Sequence, residues 1–484
     1  MKYFKHSLRS FNILLIAGLC LASSCKKLDE KPISFVDPDS FFTNPDQVEA
    51  ALAASMDRIW SYWGGYGYAQ NVFFNDDQYN DGDLVIGNNH GDFLWNQHYL
   101  SLKNLNLAIG AMKKGTLGTT ATPAQLDLLM AQAKFIRAHN YFQLVRMFGD
   151  VPLITEDTPD EALAGITRSP IADVYTLIIS DFTEAAANLP STWPTEKRGR
   201  PASGAAKGLL AKVYLTMATA PLNEVSNYQK AANLANEVIQ AGVYSLEPDI
   251  TKVFSLETKY GPEMMWSYIS NYADGNTHAQ IYRGWSQQGP FFGGWGDIGI
   301  QPQWEQQYPA SPRKDAYLLT LDDNGVNYKD WVQDPRPFIR KFMYDKQEDY
   351  DNYFSVMNMP VIRFADVLLI FAEAENMAKS GPTQAAVDAV NMVIDRANGY
   401  VNNPLHPKLT IGMSKEAFDA AVIEERNQEF CFEFDRWFDL VRKRILKEQS
   451  IPEIQQNFTE NDYLFPIPDN EILLNPNLTQ NPGY

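Results

Sequence analysis

Two stretches of this sequence set flat rings among polar side chains at spacings suited to gripping a polymer rich in hydroxyl or amide groups. The first, "WSYWGGYGY", carries Trp60, Tyr62, Trp63, Tyr66 and Tyr68 among glycines, and Asn75, Asp76, Asp77, Gln78, Asn80 and Asp81 come soon after. The second interleaves Tyr282, Trp285, Phe291, Phe292 and Trp295 with Arg283, Gln287, Gln288 and Asp297. The CH faces of a sugar ring stack on Trp or Tyr, and its hydroxyls need polar partners beside the platform, because burying them unpaired is costly. The same equipment grips peptide, and the same rings also serve as a minor core beneath loops, so all three uses stand open here. Trp95 is added to the ligand-binding set on rough position.

Catalytic chemistry finds less support. The chain has 6 His, none in an HExxH spacing, and it lacks a GxSxG elbow and a phosphate-binding glycine loop. Glu429 and Glu433 are expected near each other on one helix, on the same wall, whereas glycoside hydrolysis needs carboxyls on either side of the bond. Their expected role is structural, within an apolar stripe of Phe430, Phe434, Trp437, Phe438 and Val441, paired by Arg426, Arg436 and Arg442. Cys431 reads as a small core residue. No cofactor is expected. "DDQYNDGD" offers hard oxygen ligands, so a structural Ca²⁺ is a minor alternative, but an EF-hand loop starting at Asp77 fails, with Tyr79 third and Asn88 where a bidentate Glu belongs.

The elements that must position these rings are helical. From Thr122 to Phe148, Leu126, Leu129, Met130, Ala133, Ile136, Tyr141, Leu144, Val145 and Phe148 recur at steps of three and four, which predicts an amphipathic helix. Thr122 caps it, Pro123 opens it and Gly149 ends it. A second helix is expected from Pro170 to about Leu189. The design recurs over Ser203–Ala218 and Tyr228–Gly242, where Ala206, Lys207, Ala211 and Tyr214 repeat the spacing of Ala133, Lys134, Ala138 and Tyr141. A third pair spans Arg363–Gly381 and Thr383–Gly399. Paired helices with small residues at regular positions resemble tetratricopeptide repeats, with a generic helical bundle as the alternative. Between Glu247 and Pro360 the helical period is lost, and a stretch that long and that aromatic suits a functional face.

The front of the chain sets the compartment. Lys2, Lys5 and Arg9 precede an apolar run from Phe11 to Ala22 and then "LASSC", which reads as a secretory signal too short to span a bilayer. Of 3 Cys, Cys20 lies in that signal and Cys25 at its end, so only Cys431 remains and no internal disulfide framework is expected. Cys25 sits as in a lipobox, although Ala22 stands where a larger aliphatic residue is usual, and ordinary cleavage is the alternative. The polar segment after Cys25 reads as a tether. Removing residues 1–24 takes three cations and no acid from the net charge of -18, leaving -21, which argues against nucleic acid and anionic lipid as partners.

Several motifs in order resemble the SusD/RagB family of outer-membrane nutrient-binding lipoproteins of Bacteroidetes. They are "CKKLDEKP", "AKFIRAHNYFQLVRMFGDVPLI", "VIRFADVLLIFAEAEN", "EERNQEFCFEFDRWFDLVR" and "FPIPDNEILLNPNLTQNPGY". The resemblance implies a mainly α, tetratricopeptide-like superhelix with a loop-rich, aromatic ligand-binding face, non-catalytic and lipid-anchored through Cys25 on the outside of the outer membrane. It implies a SusC-like TonB-dependent transporter as partner and an oligosaccharide as ligand, with the peptide-binding lid of a RagA-type importer as the alternative. The expected organisation is a signal peptide (1–24), a tether (25–45), an N-terminal helical-repeat region (46–260) and a C-terminal region carrying aromatic loops (261–484), the last two in one globular unit.

Overall fold

The computed structural model describes residues 41–63, 89–270, 300–322, 324–331, 335–341, 357–433, 435–449 and 459–484. Within the compact unit Phe42–Tyr484, helices dominate. The main ones are α1 (Pro45–Trp63), α2 (Asn89–Lys114), α3 (Pro123–Phe148), α4 (Ile171–Asn188), α5 (Ser203–Met217), α6 (Asn227–Gln240), α7 (Phe364–Ala378), α8 (Gln384–Ala397), α9 (Lys415–Glu429) and α10 (Arg436–Lys443). From α1 to α8 each of these helices packs on the next, the nearest-neighbour stacking of a helical solenoid. No helix among the described residues is long and apolar enough to cross a membrane.

The local signals act as expected. Thr122 accepts from the Gln125 amide while the Gln125 side chain accepts from the Thr122 amide, a reciprocal cap on α3, and Gly149 ends the helix at φ 72°. Ala133, Ala138, Ala206 and Ala211 are fully buried, which lets neighbouring helices approach closely. The repeated lysines do equivalent work: Lys134 of α3 pairs with Glu184 of α4, and Lys207 of α5 pairs with Glu237 of α6.

Strand β1 (Met264–Tyr268) pairs antiparallel with β2 (Met359–Arg363), with register irregularities on both sides of Trp266. Such a bulge breaks the in-out alternation of a strand, so the consecutive residues Trp266, Ser267 and Tyr268 are all buried. The C-terminal segment is sewn to the first half of the chain. Asn481 Nδ2 donates to the Phe148 and Phe465 carbonyls at 3.0 and 2.7 Å, and Arg168 Nη1 donates to the Thr479 carbonyl at 2.8 Å.

The second half is built around a buried ionic cluster. Glu429 accepts from Arg313 at 3.0 Å, Arg363 at 3.1 Å, Arg396 at 2.7 Å and the Tyr317 hydroxyl at 3.1 Å. Burial alone would raise the Glu429 carboxyl, but Arg396, Arg363 and Arg313 overcome it and hold the group far below the usual carboxylate range. Arg363 also binds Glu433 through Nε at 2.7 Å. The single helix expected through this region is corrected: α9 ends at Glu429, Phe432 takes φ 64°, and α10 starts at Arg436. Buried Lys341 Nζ holds the intervening turn by donating to the Glu429 and Cys431 carbonyls at 2.7 and 3.0 Å. The expected arginine partners are also corrected. Arg426 pairs with Asp366 and Asp439, and Arg442 with Glu373 and Asp439, not with Glu429 or Glu433. Cys431 is fully buried, as a core residue should be.

Candidate functional site

A cavity of about 400 Å³ opens among α1, α3, the loop 194–201 and the end of β1. Its inner wall is core: Leu52 from α1, Gln132 and Ile136 from α3, and Trp266, Ser267 and Tyr268 from β1 are each at most 6% exposed. Trp266 is fixed edge-on against Phe135 at 4.7 Å between centroids and against His139 at 5.1 Å. The Tyr268 hydroxyl lies 2.7 Å from His139 Nε2, and burial pushes His139 well below its ordinary range, so the imidazole is neutral.

The rim is polar and pre-set. Arg200 grips Glu49 through both Nη atoms, at 2.9 and 3.0 Å, which ties the loop to α1 across 151 residues of sequence. The hydrogen bonds from Arg200 lower the Glu49 carboxyl. Arg200 also lies over the Trp193 ring at 5.5 Å, and Trp193 Nε1 donates to the Pro201 carbonyl at 2.9 Å, so the guanidinium is braced. Gly199 makes the loop's approach feasible. At φ 98° it passes so close to Ile269 that a Cβ would stand 2.8 Å from that side chain.

This arrangement offers an apolar floor and a rim where the Glu49–Arg200 pair stands beside Asp57, Glu196, Lys197 and Arg198. The candidate carboxylate pair for hydrolysis is not in this cavity: Glu429 and Glu433 are buried in the ionic cluster. Among the described residues no group of three or more His, Cys, Asp or Glu could hold a metal ion. The Asp77 loop lies outside the described residues.

Of the ring residues singled out in the sequence, Trp60, Tyr62 and Trp63 occupy the last turn of α1, where only the backbone is described. Cys25, Tyr66, Tyr68, Asn75, Asp77, Tyr282, Trp285, Phe292 and Trp295 lie outside the described residues. Trp95 is corrected. It is 3% exposed, edge-on to Phe148 at 5.1 Å and 4.9 Å from Tyr99, so its ring serves the core between α2 and α3. Sequence reasoning missed Glu49, Gln132, Arg200 and Ser267. No local spacing marks them, and the one available signal was Gly199 within "KRGRP", a glycine with a proline two residues on, in a loop between helices.

Comparison with known proteins places this architecture. A family model described as "Starch-binding associating with outer membrane" matches residues 47–215, and one described as "SusD family" matches residues 332–484. A SusD-like protein of Formosa agariphila is 29% identical over 99% of this chain and 100% of its own length. The crystal structure of a SusD homologue from Bacteroides thetaiotaomicron superposes with a TM-score of 0.79 at 21% identity, covering 92% of this chain and 98% of that one. A SusD superfamily protein from Parabacteroides distasonis gives 0.74 at 26% identity, covering 90% and 99%. The matching family description is one of binding. With one match lying on the first helices of the stack and the other on the ionic cluster and the C-terminal segment bonded back to them, the chain belongs to the SusD family.

Proposed function

We propose that this protein is a cell-surface lipoprotein, anchored through Cys25 to the outside of the outer membrane, that captures oligosaccharide and passes it to a SusC-like TonB-dependent transporter. The observation that carries the capture role is the position of the cavity. The first aromatic stretch continues directly from α1 into residues 64–88, and the second continues from the end of β1 into residues 271–299. Both elements wall the same cavity. An apolar floor with a few polar groups at the rim is the usual composition of a small-molecule pocket. Similar folds include a protein described as a laminarin-binding SusD-like protein and the surface glycan-binding protein A of Bacteroides uniformis, which supports a glycan ligand.

Calorimetric titration of the protein begun after Cys25, against a panel of oligosaccharides with peptide mixtures alongside, tests this reading. Heat with one glycan class supports it. Heat with peptides alone overturns the glycan part and keeps the capture role. The transporter is tested by co-purification from outer membranes with a tag on this chain.

A further inference from the structure

The C-terminal segment carries a surface feature that neither the helical stack nor the cavity uses. In the short helix Asp469–Leu474, Leu473 and Leu474 are each 79% exposed, more than any other large apolar side chain among the described residues. They do not sit on a loose tail. Ile467 and Leu478, on either side of them, are buried, and Asn475 and Asn477 donate to the Ile166 and Gly165 carbonyls at 2.7 and 3.0 Å. Those bonds also bring the pair beside the turn that follows the helix Asp160–Leu163, where Leu163 is exposed as well. An apolar knob already held rigid gives up little further ordering when a partner covers it.

The surround is acidic. Asp160 and Glu161 precede Leu163, Asp469 and Glu471 precede the two leucines, and Asp92 stands in the first turn of α2. Burial and the Asp469 charge raise the Asp92 carboxyl, and burial and the Asp92 charge raise that of Glu471, so α2 and the C-terminal helix press like charges together. Among the described residues no lysine or arginine pairs with these acids, and Arg168, which shares the surroundings of Tyr99 with Glu471, is bonded instead to the Asp150, Thr479 and Phe148 carbonyls and to Asn481.

The sign of this surround selects the occupant. An anionic lipid surface is repelled, and so is a second copy docking by the same patch, which would set acid against acid across a two-fold axis. A protein surface with an apolar groove rimmed by lysine or arginine covers the leucines and relieves the acids at once.

We infer that Leu163, Leu473 and Leu474, with the acids around them, form the surface on which the transporter docks, and that the transporter's facing rim carries lysine or arginine around an apolar groove. The inference rests on the transporter reading above and adds to it the contact surface and the partner's chemistry.

The test is co-purification of the full-length protein from outer membranes in three forms: wild type, Leu473→Ser with Leu474→Ser, and Asp469→Lys with Glu471→Lys. Each double variant recovers about tenfold less transporter, the loss expected when an apolar anchor or its charge match is removed. Added salt weakens recovery by wild type more than recovery by the charge-reversed form. Urea unfolding and oligosaccharide titration of both variants match wild type, because the altered side chains are on the surface and outside the cavity. A photo-crosslinker placed at Leu474 joins the transporter, and one placed at exposed Val401, beyond the last stacked helix α8, does not. Wild-type recovery by both variants, or a crosslink from position 474 to a second copy, to lipid or to an unrelated protein, overturns the surface and leaves the transporter reading standing. If wild type recovers no TonB-dependent transporter, that reading falls and the docking surface falls with it.

Discussion

Arg396 Nη2 donates to Glu429 Oε1 at 2.7 Å, with both side chains fully shielded from water. Glu429 is also the acceptor for Arg313, Arg363 and Tyr317, so one carboxylate compensates several buried cations. Glu429→Gln keeps the shape and removes the charge. Breaking a buried pair by neutralising one partner costs about 3–5 kcal/mol, because the remaining charge stays buried and uncompensated. Urea unfolding of the variant should show a lower midpoint with an unchanged slope. A midpoint equal to wild type would mean that the arginines find other partners.

Glu373 predicts an acid response. Burial would raise its carboxyl, but Arg442, which donates to Oε2 at 2.6 Å, and Lys443 bring it down to about 2 from an ordinary value of 4.5. A depressed carboxylate contributes stability that is present above its unfolded value and is lost as pH falls through its folded value. The loss therefore begins near pH 4.5 and completes near pH 2, and it amounts to on the order of 3 kcal/mol. Glu373→Gln should be less stable at neutral pH and show a flatter dependence across that window. A variant whose curve parallels wild type through the window would show that other carboxylates govern acid unfolding.

What could be read in the sequence was local. The cap at Thr122, the proline after it, the three-four period and Gly149 all lie on one helix, and together they locate α3 to within a residue. The repeat was visible in Lys134 and Lys207, though its purpose was not, because Glu184 and Glu237 lie on the following helices. What could not be read depends on distant chain. Arg426, Arg436 and Arg442 looked like partners for Glu429 because they are near in sequence, yet its partners come from residues 313, 363 and 396. Trp95 illustrates a different limit. A ring on a helix looks the same in sequence whether it faces Phe148 or a ligand. The Glu49–Arg200 pair spans 151 residues, so no local window of the sequence contains it.

Gly199 predicts a backbone effect at the cavity mouth. At φ 98° an added Cβ is strained by its own backbone and stands 2.8 Å from Ile269 Cδ1 and Cγ1. Gly199→Ala should cost about 1–3 kcal/mol of stability or displace the loop. Adding Ile269→Ala relieves the contact but not the dihedral strain. A double variant as destabilised as Gly199→Ala alone would assign the cost to the backbone, and recovery would assign it to crowding. A fully wild-type Gly199→Ala would mean that the loop does not need this conformation.

The rings themselves divide into two kinds of prediction. Trp63→Ala and Trp285→Ala should each weaken oligosaccharide binding by roughly 1–3 kcal/mol, taking the magnitude measured for bases stacked on aromatic side chains, with helix content unaltered. Trp95→Ala should behave oppositely. Its ring packs against Phe148 in the core, so removing it should lower stability by about 3–5 kcal/mol while the folded fraction keeps its affinity. Calorimetry and urea unfolding on the three variants separate the cases, because a platform ring moves affinity and a core ring moves stability. If Trp63→Ala and Trp285→Ala lose stability instead, those rings are core as well, and capture must rest on the cavity and its Glu49–Arg200 rim.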